Sequence, residues 1–495
     1  MKKKILLRNI FMSLLLQALT LINGLIIPRI ILLDFGSDIN GLVTSISQFL
    51  NFISLLEGGV GAVVMSALYR PLAEENTEKI SGIVRSAELF FKTIAKIFFI
   101  YSVFLAVVGP LFIWKEFSWQ YTALLVLVLA ITAFIQFYFS ITYRILLNAD
   151  QKAYFVSLVQ IVFLVLNLIM AIAVAKICPE IHILKLASAL AYCIQPIIFN
   201  VYVKHHYTID ENIPEDKGAL EHRWDGFGQN IAYVVHSNTD IAVLTVLGRL
   251  SDVSIYAVYN LVAMALRNFV MAISSSILPS LGSVLVKDDL AQANDAFDFY
   301  ELCVGLVTTV LFTCGAILVT PFVMIYTSGV TDANYNQPVF GALLMTASAL
   351  GCVREPYINV ANAAGHFRRI SKFAYIEASL NVVISIVVVR YWGLIGVTIG
   401  TLLASAYRYI AQIIYLKKAI LYRDIWKSIR STVCYLLIAG VSIILAQGMV
   451  RVEVTSYLNW MVKSVLTVFI VMGVTVIFVA IFYRKILVSV IRRKK

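Results

Sequence analysis

Charge is what this chain has least of. Asp, Glu, Lys and Arg make up 14% of its 495 residues, where soluble domains carry about a quarter. With 60% of the residues hydrophobic, too little polar side chain remains to clothe a soluble fold of this length. Prolines are also few, ten in all, so long helices can run with little interruption. The six cysteines (Cys178, Cys193, Cys303, Cys314, Cys352 and Cys434) form no CxxC pair and no metal-ligand spacing. Most sit in apolar runs, where a free thiol behaves as a small hydrophobe. No metal site and no cofactor are expected. A nucleotide-binding P-loop is missing too, which argues against direct ATP drive.

What the chain has instead is about fourteen apolar blocks, each long enough for a helix to cross the ~30 Å hydrocarbon core. Residues 124–137 and 466–482 contain no charge at all. The expected spans are 9–33, 41–68, 88–113, 119–143, 153–175, 183–203, 227–247, 253–285, 298–325, 338–361, 372–390, 393–416, 431–449 and 460–482. Lys2, Lys3 and Lys4 followed by apolar residues look like a signal peptide. No small-residue cleavage site follows and the run continues to Ile31, so it reads as a retained first span.

The net charge of +12 orients the chain rather than marking a nucleic-acid partner. Of the 40 Lys and Arg residues, 29 fall at the amino terminus, in alternate connectors and in the tail. Eight fall on the opposite side, and Arg267, Arg354 and Arg408 lie within spans. By the positive-inside rule both termini are expected on the cytoplasmic side of the membrane. The polar connector near the middle reads as a linker. The expected division is a six-helix lobe over 1–204, a cytoplasmic linker over 205–226, a second six-helix lobe over 227–418, and two further helices with a basic tail over 419–495.

The halves share an offset of 214 residues. It carries Ser37-Asp38-Ile39 to Ser251-Asp252-Val253, Tyr143 to Tyr357, Asn148-Ala149 to Asn362-Ala363, and Asn167 to Asn381. An even number of spans per half makes this a parallel repeat, as in some secondary transporters, with a cavity expected between the lobes.

Several short stretches carry a family likeness. Leu55-Leu56-Glu57-Gly58-Gly59-Val60-Gly61-Ala62 with Tyr69-Arg70-Pro71, Phe35-Gly36 with Gly41-Leu42, and Gly248 with Ser251-Asp252-Val253 and Ile255-Tyr256-Ala257 resemble stretches of polysaccharide flippases. The chain thus resembles a Wzx-type (O-antigen) flippase of the multidrug/oligosaccharidyl-lipid/polysaccharide (MOP) exporter superfamily, over its whole length. The resemblance implies movement of an undecaprenyl-(pyro)phosphate-linked oligosaccharide from the inner to the outer leaflet, with ion-gradient coupling. The drug exporters of that superfamily usually have twelve spans and an acidic residue in the first, which is absent from the interior of this one.

Ionisable groups in mid-membrane cost ~2.5–3.5 kcal/mol on insertion scales and mark cavities or ion pairs. Arg267, deep in its span, is the foremost candidate for a substrate phosphate, which a guanidinium fork suits; an ion pair with Asp240 is the alternative. Arg29, Arg354, Arg408, His236 and Asn238 are further cavity candidates. Arg354, Glu355 and Pro356 also read as a local ion pair before a kink. Glu57, beside glycines, and Asp240 and Glu377 are candidates for coupling to H+ or Na+. His236 and Asp240, four apart, share a helix face. Arg70 and Arg144 read as markers of the cytoplasmic boundary. Expected partners are the lipid-linked oligosaccharide, the bilayer and polysaccharide-assembly enzymes. The alternatives are a small-molecule, drug or lipid II-like exporter of the same architecture and, more distantly, a glycosyltransferase or polysaccharide polymerase. The short outer loops, poor in carboxylates and histidines, count against an enzyme.

Overall fold

The computed structural model describes residues 3–57, 59–210, 213–220, 227–285 and 290–483. Gly58 of the glycine-rich stretch, parts of the linker, Lys287 and the basic tail lie outside them. Every regular element among the described residues is helical. In order they are α1 (Lys3–Phe35), α2 (Ser37–Asn51), α3 (Ser54–Glu57), α4 (Val60–Ala73), α5 (Thr77–Phe112), α6 (Trp119–Ile135), a π-helical turn (Gln136–Ser140), α7 (Ile141–Ala149), α8 (Ala153–Ile177), α9 (Ile181–Cys193) and α10 (Gln195–His206). A 3-10 turn (Lys217–Leu220) precedes α11 (Phe227–Leu247), α12 (Leu250–Leu285), α13 (Leu290–Tyr326), α14 (Pro338–Val353), α15 (Glu355–Ala363), α16 (Phe367–Ala419), α17 (Ile425–Met449) and α18 (Tyr457–Phe482).

Among the described residues, eleven helical stretches are long and apolar enough to cross a membrane. One of them, α16, runs for 53 residues but bends back at Gly393, whose φ of 51° and ψ of −124° are not helical. Its arms are antiparallel. Thr401 Oγ1 donates to Asn381 Oδ1 at 3.2 Å, and Ser385 Oγ donates to the Val397 carbonyl at 3.3 Å. The seam is closed by glycines, since a Cβ on Gly396 would stand 2.6 Å from the Val388 carbonyl oxygen and one on Gly400 2.2 Å from Ser385 Oγ. Small residues at such a seam let backbones approach in lipid, where hydrophobic association gives no help. Splitting α16, and adding α11 and the interrupted pair α14–α15, gives fourteen rods. The chain is a multi-pass membrane protein.

Contacts divide it into two compact units, Met1–Ser254 and Ile255–Lys495. The boundary falls in the first turns of α12, so α11 groups with the first unit although the linker precedes it. In the first unit α1 packs on α8, α5 on α6, and α6 and α8 on α9. Leu42, Ile46, Phe91, Phe98, Trp114, Leu125 and Phe199 belong to its core. Trp114 is fully buried, and its indole N–H donates to Ser45 Oγ at 2.7 Å. Asn40 Nδ2 donates to Ser254 Oγ at 2.7 Å, and these two residues are themselves 214 positions apart. In the second unit α14 packs against α13 and α16, and α17 and α18 lie on α13. There Trp460 Nε1–H reaches the Leu318 carbonyl at 3.2 Å.

Candidate functional site

The second rod is broken where the glycine-rich stretch lies. After Asn51 a turn at Phe52 and Ile53 leads into the single turn α3, and Gly59 takes a left-handed φ of 85° before α4 starts. That conformation costs a glycine nothing and strains other residues. The fourth rod is broken as well, by the π-helical turn between α6 and α7; such turns often accompany functional sites. The two irregular stretches face each other across a cavity of ≈ 580 Å³, lined by Asn51, Ser54, Glu57, Thr132, Gln136, Arg144 and their neighbours. Glu57 and Arg144 lie within electrostatic reach of each other without touching as an ion pair. Arg144 Nε–H is buried with no partner among the described residues. A carboxyl group and a guanidinium held apart across a cavity lined by polar and apolar side chains leave room for water between them.

In the second unit, four of the sequence candidates converge. Arg354 stands at the break between α14 and α15, where Pro356 occupies the start of α15. Its guanidinium is hydrogen-bonded to one oxygen of Glu377, and Arg408 Nη1 donates to the other at 2.5 Å. Glu377 is fully buried, and the two arginines are 4% and 6% exposed. Glu355 lies within electrostatic reach of Arg354, Arg267, Arg408 and Glu377. Three guanidiniums and two carboxylates thus lie within electrostatic reach of Glu355 or belong to its group, with Arg267 only half buried on α12. Nε of Arg354, Nε of Arg408 and both amide atoms of Gln412, one turn beyond Arg408, are buried with no partner among the described residues. The break therefore arises at Arg354 as its sequence suggests, but Arg354 bonds Glu377 across to α16. Adjacent helical residues point in different directions and cannot face each other.

The other candidates are on α11 and α1. Asn238 and Asp240 on α11 are 9% and 4% exposed, with His236 half buried. Asn238 Oδ1 accepts from Gln48 Nε2 of α2. Arg29 is half buried near the end of α1. Among the described residues, no group of three or more His, Cys, Asp or Glu could hold a metal ion.

Sequence reasoning missed two features. Arg144 borders the cavity opposite Glu57 and does more than mark a boundary; a cation inside the continuous helical stretch Trp119–Ala149 was the available signal. The second is a network on the basic face. Arg423, between α16 and α17, bonds Asp298 at 2.7 Å, Glu301 at 2.5 Å and Ser428 at 2.5 Å. Tyr357 donates its hydroxyl proton to Glu301. Burial opposes the charge of Arg423, yet the carboxylates of Glu301 and Asp298 outweigh it and hold the guanidinium above its ordinary value. No spacing in the sequence joins 298, 301, 357 and 423.

No family model matches the chain, and no curated protein matches it in sequence. Solved structures do match in fold. A lipid II flippase MurJ in an inward closed conformation superposes with a TM-score of 0.74 at 15% identity, covering 97% of this chain and 100% of its own. An inward-facing multidrug resistance MATE family transporter of the MOP superfamily gives 0.56 at 11% identity, over 80% of this chain and 94% of its own. A eukaryotic MATE transporter gives 0.55 at 11% identity, over 86% and 98%. The fold is thus the one these transporters and flippases share.

Proposed function

We propose that the chain is a flippase that moves an undecaprenyl-(pyro)phosphate-linked oligosaccharide from the cytoplasmic to the outer leaflet of a bacterial inner membrane by alternating access. The observation that carries this reading is the likeness to a lipid II flippase along both whole chains, α17 and α18 included, whereas the MATE transporters leave part of this chain uncovered. The gathering of the Arg354 and Arg408 guanidiniums on Glu377, with Arg267 within electrostatic reach of Glu355 beside them, supports it. A phosphate entering that cluster gains charge-assisted hydrogen bonds, and half-buried Arg267 is its first contact. Glu57, across a cavity from Arg144, is the carrier of the coupling proton. Half-buried His236 and Arg29 offer polar groups to the sugar, and both termini lie in the cytoplasm.

The test is leaflet distribution. Deleting the gene is expected to trap completed carrier-linked glycan on the cytoplasmic leaflet. Restoring it with Arg267→Ala is expected to leave the glycan trapped at normal protein level, and with Arg267→Lys to release part of it. Full release by the alanine variant would remove Arg267 from the site. An unchanged distribution on deletion, with no redundant homologue, would overturn the flippase. A second reading, a lipid II-like precursor as the substrate, is favoured by the same likeness and is read in the same assay from which carrier-linked species accumulates.

A further inference from the structure

The π-helical turn between α6 and α7 sets which side chains meet the cavity of ≈ 580 Å³ in the first unit. Leu129 and Asn148, at the two ends of the lining stretch, are 19 residues apart. The turn Gln136–Ser140 absorbs one of them, and the rest make about five full turns at 3.6 residues each. Both ends therefore face the same side. In an unbroken α-helix Asn148 would be rotated away from Leu129 by about 100°. The extra residue keeps one face of the rod on the cavity through Thr132, Gln136, Phe137, Ile141 and Asn148. Ser140, which a regular helix would bring round instead, is 1% exposed and lines no part of it.

That face and the one opposite are polar and unbonded. Ser47 and Asn51 of α2 line the cavity with Thr132, Gln136 and Asn148, and none of these five side chains makes a hydrogen bond among the described residues. For the two hydroxyls this departs from the habit of the chain. Ser102, Thr309, Thr467 and Thr475 each donate to the carbonyl one turn back, which satisfies a hydroxyl inside an apolar layer. Between the polar groups lie the Phe137 ring, Leu129, Ile141 and Ile145. Among the lining residues only Glu57 and Arg144 are charged, one of each sign, so no excess of positive charge favours a phosphate there. The ligand chemistry that matches such walls is neutral, rich in hydroxyls and apolar on one face.

We propose that this cavity binds neutral pyranose units of the carried glycan, and that Asn51, Gln136 and Asn148 determine which sugars are accepted. Each carboxamide offers a donor and an acceptor side by side, the pair that two adjacent ring hydroxyls satisfy. Ser47 and Thr132 add hydroxyls that can donate or accept, and the C–H face of a sugar ring packs on Phe137. The volume lies within the ~300–1,000 Å³ of small-ligand sites, which suits a short piece of glycan and excludes a whole lipid-linked substrate. The site rests on the flippase reading only for the source of its sugar. It uses neither Glu57, the carrier of the coupling proton, nor Arg267.

The experiment uses the purified full chain in a detergent without a sugar headgroup. Glucose, galactose and N-acetylglucosamine are titrated separately to concentrations well above millimolar, and binding is read by saturation-transfer NMR. At least one of the three is expected to bind, and inorganic pyrophosphate is expected not to displace it. Asn51→Ala with Asn148→Ala, both at exposed positions, is expected to weaken that binding at least about tenfold with the melting temperature unchanged. Gln136→Leu, which keeps most of the volume, is expected to do the same. Failure of all three sugars to bind, undiminished binding by either variant, or displacement by pyrophosphate would overturn the site. A wild type that binds no sugar yet flips its substrate strikes this site and spares the flippase reading. Sugar binding together with an unchanged leaflet distribution on gene deletion strikes the flippase reading and spares the site.

Discussion

Glu377→Gln keeps the shape of the second unit's charge cluster and removes the one carboxylate that two buried guanidiniums share. Removing one partner of a buried ion pair costs about 3–5 kcal/mol, because the remaining charge is stranded away from water. Here two charges are stranded by one substitution, so the upper end applies. At roughly 2–4 °C per kcal/mol for a unit of this size, the melting temperature should fall by ~10–20 °C. Replacing the three directly bonded residues with apolar ones (Arg354→Met, Glu377→Leu, Arg408→Met) removes both stranded charges along with their shared partner, and such replacements are often neutral or stabilising. The triple variant should therefore melt near the wild type. Thermal unfolding of the purified protein in detergent, followed by tryptophan fluorescence, measures both. A Glu377→Gln variant melting within ~1 °C of the wild type would refute the reasoning. Transport supplies the second readout. The triple variant should fold yet lose at least nine-tenths of its flipping, and full flipping would make the cluster a structural brace only.

Other predictions are shorter. Glu57→Gln, reconstituted in liposomes, should abolish dependence on a proton gradient with the fold intact; unchanged coupling would eliminate its proton role. Gly400→Leu should destabilise the α16 hairpin by about 1–3 kcal/mol or more, as overpacking does, because even its Cβ would stand 2.2 Å from Ser385 Oγ; a normal melting temperature would refute the close seam. At Glu116, in the connector between α5 and α6, partial burial and then Asp38 raise the carboxyl's pKa, and Arg249 only partly offsets them. The folded state thus favours the protonated form. Stability should decline as pH rises from about 4, the ordinary glutamate value, through the raised one. Glu116→Gln should flatten that decline in thermal scans, and an unaltered slope would count against it.

The rods and their order were legible in the sequence because hydrophobic length is a one-dimensional property. The turn at Gly393 lies within three residues of the expected end of one span, and the interruption at Arg354 was signalled by Pro356 two residues on. Gly58, Gly59 and Gly61 allowed for a bend beside Glu57, whereas the break at the π-helical turn was hidden. Its residues are mostly apolar and keep the mean hydropathy of a continuous helix, while one inserted hydrogen-bond step leaves no trace in composition. Pairings were hidden for another reason. That Glu377 serves Arg354 and Arg408 depends on which faces of α14 and α16 meet, and no spacing within either helix records it. Arg144 was misjudged because a cation near the end of an apolar run looks interfacial whether or not the chain folds a cavity around it.

The two breaks in corresponding rods show what irregular backbone does in a membrane. The π-helical turn ends at Ser140, 214 positions before Arg354 at the other break. Backbone groups freed at such points are tolerated only where protein or trapped water meets them. In the first unit the break borders ≈ 580 Å³ of space lined by polar and apolar side chains, with Glu57 and Arg144 held apart. In the second, the space at the break is taken by guanidiniums closing on one carboxylate. The open version leaves a carboxylate free to exchange protons with water. The closed version fixes positive charge in place and lends it to an anion that displaces part of the pairing. On the proposed function that difference assigns ion coupling to the first unit and anion recognition to the second, so Glu57→Gln should alter gradient dependence alone while Arg267→Ala should alter substrate dependence alone.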